Sequence, residues 1–191
     1  MHPNFSYGEL KIVSFTKRHN VSRFESRTSD LNAFLKDDAF KNQEELISKT
    51  YLCWHSNQYQ LVGYITLTTD IIRKGEVQKE GRISVPYKEY PAIKIARLAV
   101  DKKYERRGVG RFLLLIAVGK ALDIAKEVGC RFITVDSKPD SIGFYKKGGG
   151  FELAKGYQDK MYPTMYLDIL PIHEKMKAVN AELGDFQSSG I

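Results

Sequence analysis

The stretch Tyr104-Glu105-Arg106-Arg107-Gly108-Val109-Gly110-Arg111 decides how this chain is read. It lies between an apolar, strand-forming run over residues 93–100 and a long helical run over residues 109–128. The first amides of a helix have no partner inside the helix and point outward. The helix dipole adds partial positive charge at the same end. A glycine-rich turn placed there is suited to hold an anion such as a pyrophosphate. Gly108 and Gly110 remove the β-carbons that would keep the backbone from a ligand. Arg106, Arg107 and Arg111 add forked cationic donors. The plain alternative is a surface turn ahead of a helix, with the arginines on a solvated face.

On the N-terminal side, residues 10–15 alternate weakly and predict a first strand. Ser29-Asp30 predicts the cap of a helix from Leu31, with Leu31, Phe34, Leu35 and Phe40 on its apolar face. Residues 50–54 and 61–69 are rich in strand formers and are separated by turn residues, so a hairpin is expected. Residues 70–90 are mostly polar, with Gly75, Gly81 and Pro86, and predict a long surface excursion able to face a substrate. On the C-terminal side, Leu113 to Val118 is apolar almost all round, which predicts a helix covered on both sides. Gly129 suits its C-terminal cap. A strand over 131–136 follows. Pro139 fits the first turn of a short helix carrying Ile142, Phe144 and Tyr145. Gly148-Gly149-Gly150 ends that helix, Phe151 opens another strand, and residues 161–170 form the last. From Pro171, the positions Ile172, Met176, Val179 and Leu183 fall at helical spacing and predict a closing amphipathic helix. That stripe suits either a homodimer contact or the chain's own sheet. Mixed strands and helices with one strand–turn–helix–strand crossover argue for an α/β or α+β sandwich around one sheet.

The chain has 191 residues with 42% hydrophobic, which fits one domain with a full core. We read residues 1–191 as that domain, with 171–191 as a helical extension. No apolar run reaches about 18 residues, so no spanning helix and no membrane partner is expected. Residues 1–9 lack a signal-peptide core, and a cytoplasmic location is the default. Cys53 and Cys130 sit in apolar runs and read as small buried residues. The four histidines show no ligand spacing, so metal chemistry is set aside. The net charge of +7 favours acidic partners, namely nucleotide cofactors, nucleic acid or a membrane surface, but it also suits an ordinary basic enzyme.

Ala96-Arg97-Leu98-Ala99-Val100-Asp101, the Arg-Arg-Gly-Val-Gly turn, Gly143-Phe144-Tyr145 and Gly150-Phe151 together resemble the GNAT superfamily of acetyl-CoA-dependent N-acetyltransferases. The resemblance implies a mixed, mostly antiparallel sheet of about seven strands with helices on both faces. It implies that acetyl-CoA is bound by Leu98, Ala99, Val100, Arg106, Arg107, Gly108, Val109, Gly110, Arg111 and Phe144. Free backbone at Leu98 and Val100 would hold the pantetheine arm and the thioester carbonyl, where an amide stabilises an oxyanion. It makes Tyr145 the general acid for the departing thiolate, in place of a simple core role beside Phe144. A phenol is protonated at neutral pH. Two departures stand out. Glu105 replaces the family's Gln or Arg, and the run Lys146-Lys147-Gly148-Gly149 before Gly150-Phe151 is one residue longer than usual, suggesting a bulge or a looser helix end.

Arg97 alternates with Leu98, so it is expected on the sheet face of Ile95 and Ala99, paired with a carboxylate or lining the acceptor side. Glu25, Glu76, Glu80 and Glu89 are available as a general base, but each reads first as a surface charge. An α-amine, with pKa about 7.7–8.0, has less need of one than a lysine. The function implied is acetyl transfer to a primary amine of unknown identity by direct attack.

Within the superfamily the chain looks similar to toxin-like acetyltransferases of aminoacyl-tRNA. The features are Phe24, Asp30-Leu31-Asn32-Ala33-Phe34-Leu35, Gly63-Tyr64 and Phe144-Tyr145. Ser26-Arg27 replaces that group's Cys-Gly. A tRNA partner would draw on Lys36, Lys41, Lys74, Lys79 and Arg82. A housekeeping small-molecule or protein acetyltransferase is the competing reading. A third is a non-catalytic CoA- or nucleic-acid-binding module, favoured by Glu105.

Overall fold

The structure, a computed structural model, describes residues 4–78, 83, 86–157 and 160–188, with side chains as far as residue 180. Lys79, Glu80, Gly81, Arg82 and the Leu183 side chain lie outside the described set.

Seven strands form one sheet in the order β1-β2-β3-β4-β5-β7-β6. They are β1 (Leu10–Ser14), β2 (Lys49–His55), β3 (Gln60–Arg73), β4 (Glu89–Val100), β5 (Phe132–Asp136), β6 (Glu152–Leu153) and β7 (Thr164–Asp168). Every pairing is antiparallel except β4 with β5. The expected mixed, mostly antiparallel sheet is therefore present. Helix α1 (Ser29–Ala33) runs through a π-helical stretch (Phe34–Asp38) into α2 (Ala39–Glu44). Helix α3 (Val109–Glu127) crosses from β4 to β5, α4 (Ile142–Gly149) follows β5, and α5 (Leu170–Ser188) closes the chain.

The two sheet faces carry separate cores. Val62, Ile65, Leu67, Ile95, Ile133 and Val135 meet α3 through Val109, Leu113, Leu114 and Ala117. Leu52, Leu61, Tyr64 and Ala99 meet Phe34, Leu35 and Ala39 from the α1–α2 side. The Tyr64 hydroxyl donates to the Leu31 carbonyl at 2.7 Å and pins α1 to the sheet.

The β4–β5 contact shapes the functional region. Only Ala92, Ile93 and Lys94 pair with β5, opposite Phe132, Ile133 and Thr134. Beyond Lys94 the strands part: β4 stays with β3 as far as Val100, and β5 stays with β7 as far as Asp136. A bulge leaves Ala96 unmatched, because Thr66 faces Arg97 while Leu67 faces Ile95.

Several expectations need correction. Thr28 occupies the N-cap of α1 and makes no side-chain cap bond, while Ser29 and Asp30 lie inside the first turn. The polar stretch 70–90 is not one long excursion: Asp70–Arg73 extends β3 and Glu89–Tyr90 begins β4. Its polarity masks Ile72 and Tyr90, both buried in a third cluster with Phe132 and Tyr166. Helix α3 is not covered all round, since Leu115 is 46% exposed. The last strand is shorter than expected, because Met161 and Tyr162 are exposed ahead of it. Cys130 sits in the connection before β5, and both cysteines are free thiols. The end of α4 is closed, not loosened: Gly150 adopts φ +71°, and its amide and that of Phe151 return to Lys146 and Tyr145. Ile172 packs on the core, but Met176 and Val179 stay over half exposed, so the tail's stripe is only partly covered by the chain's own sheet.

Gly63 sets how closely α3 sits on the sheet. A β-carbon there would stand 2.9 Å from the Ala99 carbonyl oxygen and 3.1 Å from both Leu113 and Val109. Gly63→Ala is expected to destabilise the fold by about 1–3 kcal/mol through overpacking. Denaturant titration checks this, and unchanged stability would show that the contact yields freely.

Candidate active site

The site is a cleft of about 1380 Å³ opened by the parting of β4 and β5. Its walls take in residues 94–100 of β4, the glycine turn, the end of β5, α4 and the β6–β7 connection.

Backbone groups are exposed along one wall. The Asp101 amide donates to the Val62 carbonyl at 2.9 Å. Hydrogen-bonded and non-bonded pairs alternate in an antiparallel ladder. Ala99 opposite Tyr64 is therefore a bonded pair, and Leu98 and Val100 turn their N–H and C=O away from β3. On that side β5 has already left, so these groups face the cleft. Ala99 itself packs its methyl into the α1-side core with Tyr64 and Phe34.

The turn is held from both sides. Asp101 is buried and accepts the amides of Glu25 and Lys103, each at 3.0 Å. The Lys102 amide reaches the Glu25 carbonyl, and Lys102 pairs with the Glu25 carboxylate at 2.6 Å. That pairing holds the Glu25 carboxyl below its usual range. Arg106 takes φ +59°, a left-handed conformation costly for a residue with a β-carbon. Gly108, the N-cap of α3, takes φ +84°. Gly110 serves a different close approach from the one its spacing suggested: a β-carbon there would meet the Phe144 ring at 3.1 Å. The absent side chain lets α4 lie against the first turn of α3.

The arginines divide. Arg106 and Arg111 line the cleft. The Arg107 guanidinium instead stacks on Phe5 at 4.7 Å, its carbonyl accepts the Phe5 amide, and its Nε is buried without a hydrogen-bond partner among the described residues. Val109 is buried against the core, so at these two positions only the backbone is offered to the turn. Glu105 is neutralised by Arg27 at 2.7 Å, a pairing that sequence reasoning missed because the partners are far apart in the chain. Arg97 leaves the face of Ile95, since the Ala96 bulge flips the alternation. It stacks over Phe34 at 5.0 Å and donates to the Ala96 carbonyl, with no carboxylate partner among the described residues.

Tyr145 sits in the cleft wall on α4, edge-on to Phe144 and Phe151 at 5.1 and 5.5 Å. Burial pushes its phenol up to about 12. The proton is therefore held well above neutral pH, as a donor requires. The expected bases lie elsewhere: Glu76 accepts from the Tyr157 hydroxyl, and Glu89 faces Arg73. Several lining groups are gathered only by the fold, with no local signal for that placement: Lys94, Asp136, Tyr157, Lys160 and Thr164. Among the described residues no group of three potential metal ligands gathers, and no helix is long and apolar enough to cross a membrane.

The β4 backbone turned to the cleft, the open glycine turn and the size of the cleft fit an extended donor that carries a diphosphate. Comparison with known proteins agrees. The acetyltransferase (GNAT) family pattern matches residues 15–151. A tRNA-acetylating toxin of Mycobacterium tuberculosis is 26% identical over 166 residues, 87% of this chain and 92% of that protein. The structure of AtaT complexed with acetyl-methionyl-tRNAfMet shares the fold, with a TM-score of 0.78 at 22% identity over 87% of this chain and 99% of the other. So does AtaTR bound with AcCoA, with a TM-score of 0.72 at 22% identity over 88% and 99%. The chain belongs to the acetyltransferase (GNAT) family and is an N-acetyltransferase whose acetyl donor is acetyl-CoA.

Proposed function

We propose that the chain acetylates the α-amine of aminoacyl-tRNA, with Tyr145 as general acid for the departing thiolate. The observation that carries the acceptor is the match to a tRNA-acetylating toxin along 92% of that relative. The cleft supports it with basic side chains: Arg97, Arg111, Lys138 and Lys160 all line it. Phosphate neutralisation of this kind supplies sequence-independent affinity for nucleic acid. Lys36 lies exposed on the π-helical stretch, while Lys41 is offset by Glu45 at 3.9 Å. The setting is cytoplasmic in this reading, and the exposed Met176 and Val179 suit the pairing of two copies.

In this reading the donor lies along β4, with the backbone of Leu98 and Val100 toward pantetheine and the carbonyl. The amides of residues 106–111 take the diphosphate, with Arg106 and Arg111 beside it. Phe144 closes the wall between the turn and Tyr145. The α-amine needs only its neutral form to attack, and a fair fraction is neutral at physiological pH.

Total tRNA charged with its amino acids, incubated with labelled acetyl-CoA and the chain, is expected to take up label that mild alkali releases as N-acetyl amino acid. Uncharged tRNA is expected to stay unlabelled. Label found only on small amines or proteins would contradict this acceptor. Tyr145→Phe is expected to lower turnover by roughly 10²–10⁴-fold, the range of general acid help. Because the phenol titrates only near 12, the parent's rate should show no alkaline loss from this group below about pH 11. Full activity of the variant, with its thermal midpoint unchanged, would remove Tyr145 from the chemistry.

A further inference from the structure

One charged cluster in the cleft plays no part in the reading above. Lys94 is the last residue of β4 that pairs with β5, and Asp136 is the last residue of β5. The Lys94 Nζ lies 2.6 Å from Asp136 Oδ2. Thr164, opposite Asp136 on β7, donates its hydroxyl to Oδ1 at 2.8 Å. The pair is not sealed, since Lys94 and Asp136 keep 30% and 41% of their side-chain surface.

Position gives this cluster meaning. Lys94 lies six residues along β4 from Val100. At roughly 3.3 Å per residue this is about 20 Å of strand. The cluster therefore lies toward the opposite end of the cleft from the glycine turn. A donor anchored at that turn and running along Leu98 occupies the near part, so the acceptor must approach from the end that Asp136 lines. The other carboxylates lining the cleft lie elsewhere. Glu105 is bound to Arg27 beside the turn, Asp30 is in the first turn of α1, and Asp140 is in the 3-10 turn ahead of α4.

We propose that Asp136, held in place by Lys94 and Thr164, is the carboxylate that accepts the proton released by the acceptor amine. The proposal rests on acetyl transfer with Tyr145 as the acid, and not on which amine is acetylated. The neutral amine nitrogen attacks the thioester carbonyl carbon and forms the C–N bond. The nitrogen, now cationic, passes one proton to Asp136. The C–S bond breaks and the sulfur takes the phenol proton of Tyr145. Asp136 then returns its proton to the phenolate through water. The sum is amine plus thioester giving amide plus thiol, with both side chains restored.

The test uses the full chain and whichever acceptor it acetylates fastest among charged total tRNA, amino acid amides and small polyamines. The choice of acceptor reports separately on the tRNA reading. Asp136→Asn is expected to lower kcat near pH 7 by roughly 10²-fold or more, leaving the KM for acetyl-CoA and the thermal midpoint in place. The deficit should shrink between about pH 7 and about pH 9, as hydroxide replaces the missing base. Asp136→Glu should recover part of the rate. Lys94→Met breaks the same ion pair but keeps the carboxylate, so it should retain most of the turnover. If Asp136→Asn is unstable, Asp136→Glu and Lys94→Met carry the comparison. No loss in Asp136→Asn, an equal loss at every pH, or an equal loss in Lys94→Met would overturn the proposal. The last two would leave the cluster as a structural clasp of the fork. An inactive Tyr145→Phe beside a fully active Asp136→Asn would refute this inference alone.

Discussion

The whole site depends on a sheet that divides. A backbone amide or carbonyl shut away from water needs a partner. Within β4 that need is met on the β3 side down to Val100, and toward β5, among the described residues, only over residues 91–94. Past that point Leu98 and Val100 carry donors and acceptors with no strand to meet them. A substrate that lies there as an extra strand satisfies them without any special side chain. In this way two ordinary apolar residues come to present open backbone groups to the cleft.

The fork is fixed, not loose. Three ties hold its apex: Lys94 to Asp136, the Thr134 hydroxyl to Asp70 of β3, and the Arg131 amide to the Pro91 carbonyl. Beyond the apex each half keeps its own partners, so parting costs no buried hydrogen bonds except those left for the ligand. Two glycines then bring the helices in. Gly63 seats α3 on β3, and Gly110 seats α4 on α3. The result is an α3 amino end, a Phe144 ring and a Tyr145 phenol arrayed along one cleft.

Much of this was legible in the sequence. Every strand was anticipated at least in part, because β-branched runs and glycine punctuation are local signals. The turn at Gly108 and the helix after it were readable for the same reason. The rest depended on distant pairings that no local pattern encodes. Arg27 neutralises Glu105 across 78 positions of sequence. Arg107 was grouped with its neighbours as an anion ligand, yet its side chain serves Phe5. Arg97 was assigned the face of Ile95 and Ala99 by strict alternation, and a single bulge at Ala96 put Ile95 on the other face while Ala99 stayed on the side of Arg97. Residues 70–73 and 89–90 were hidden because a polar long hairpin resembles a loop in composition. Asp136 gave no signal at all, since its place in the cleft follows from where two strands separate.

The central claim is that the β4 backbone at the fork and the α3 turn together receive coenzyme A. Amide hydrogen exchange measured with and without coenzyme A addresses it at those atoms. The account predicts rapid exchange at Leu98 and Val100 in the free chain, and marked slowing there and over residues 106–111 on binding. Slowing confined to other surfaces, with Leu98 and Val100 unchanged at saturating coenzyme A, would contradict it.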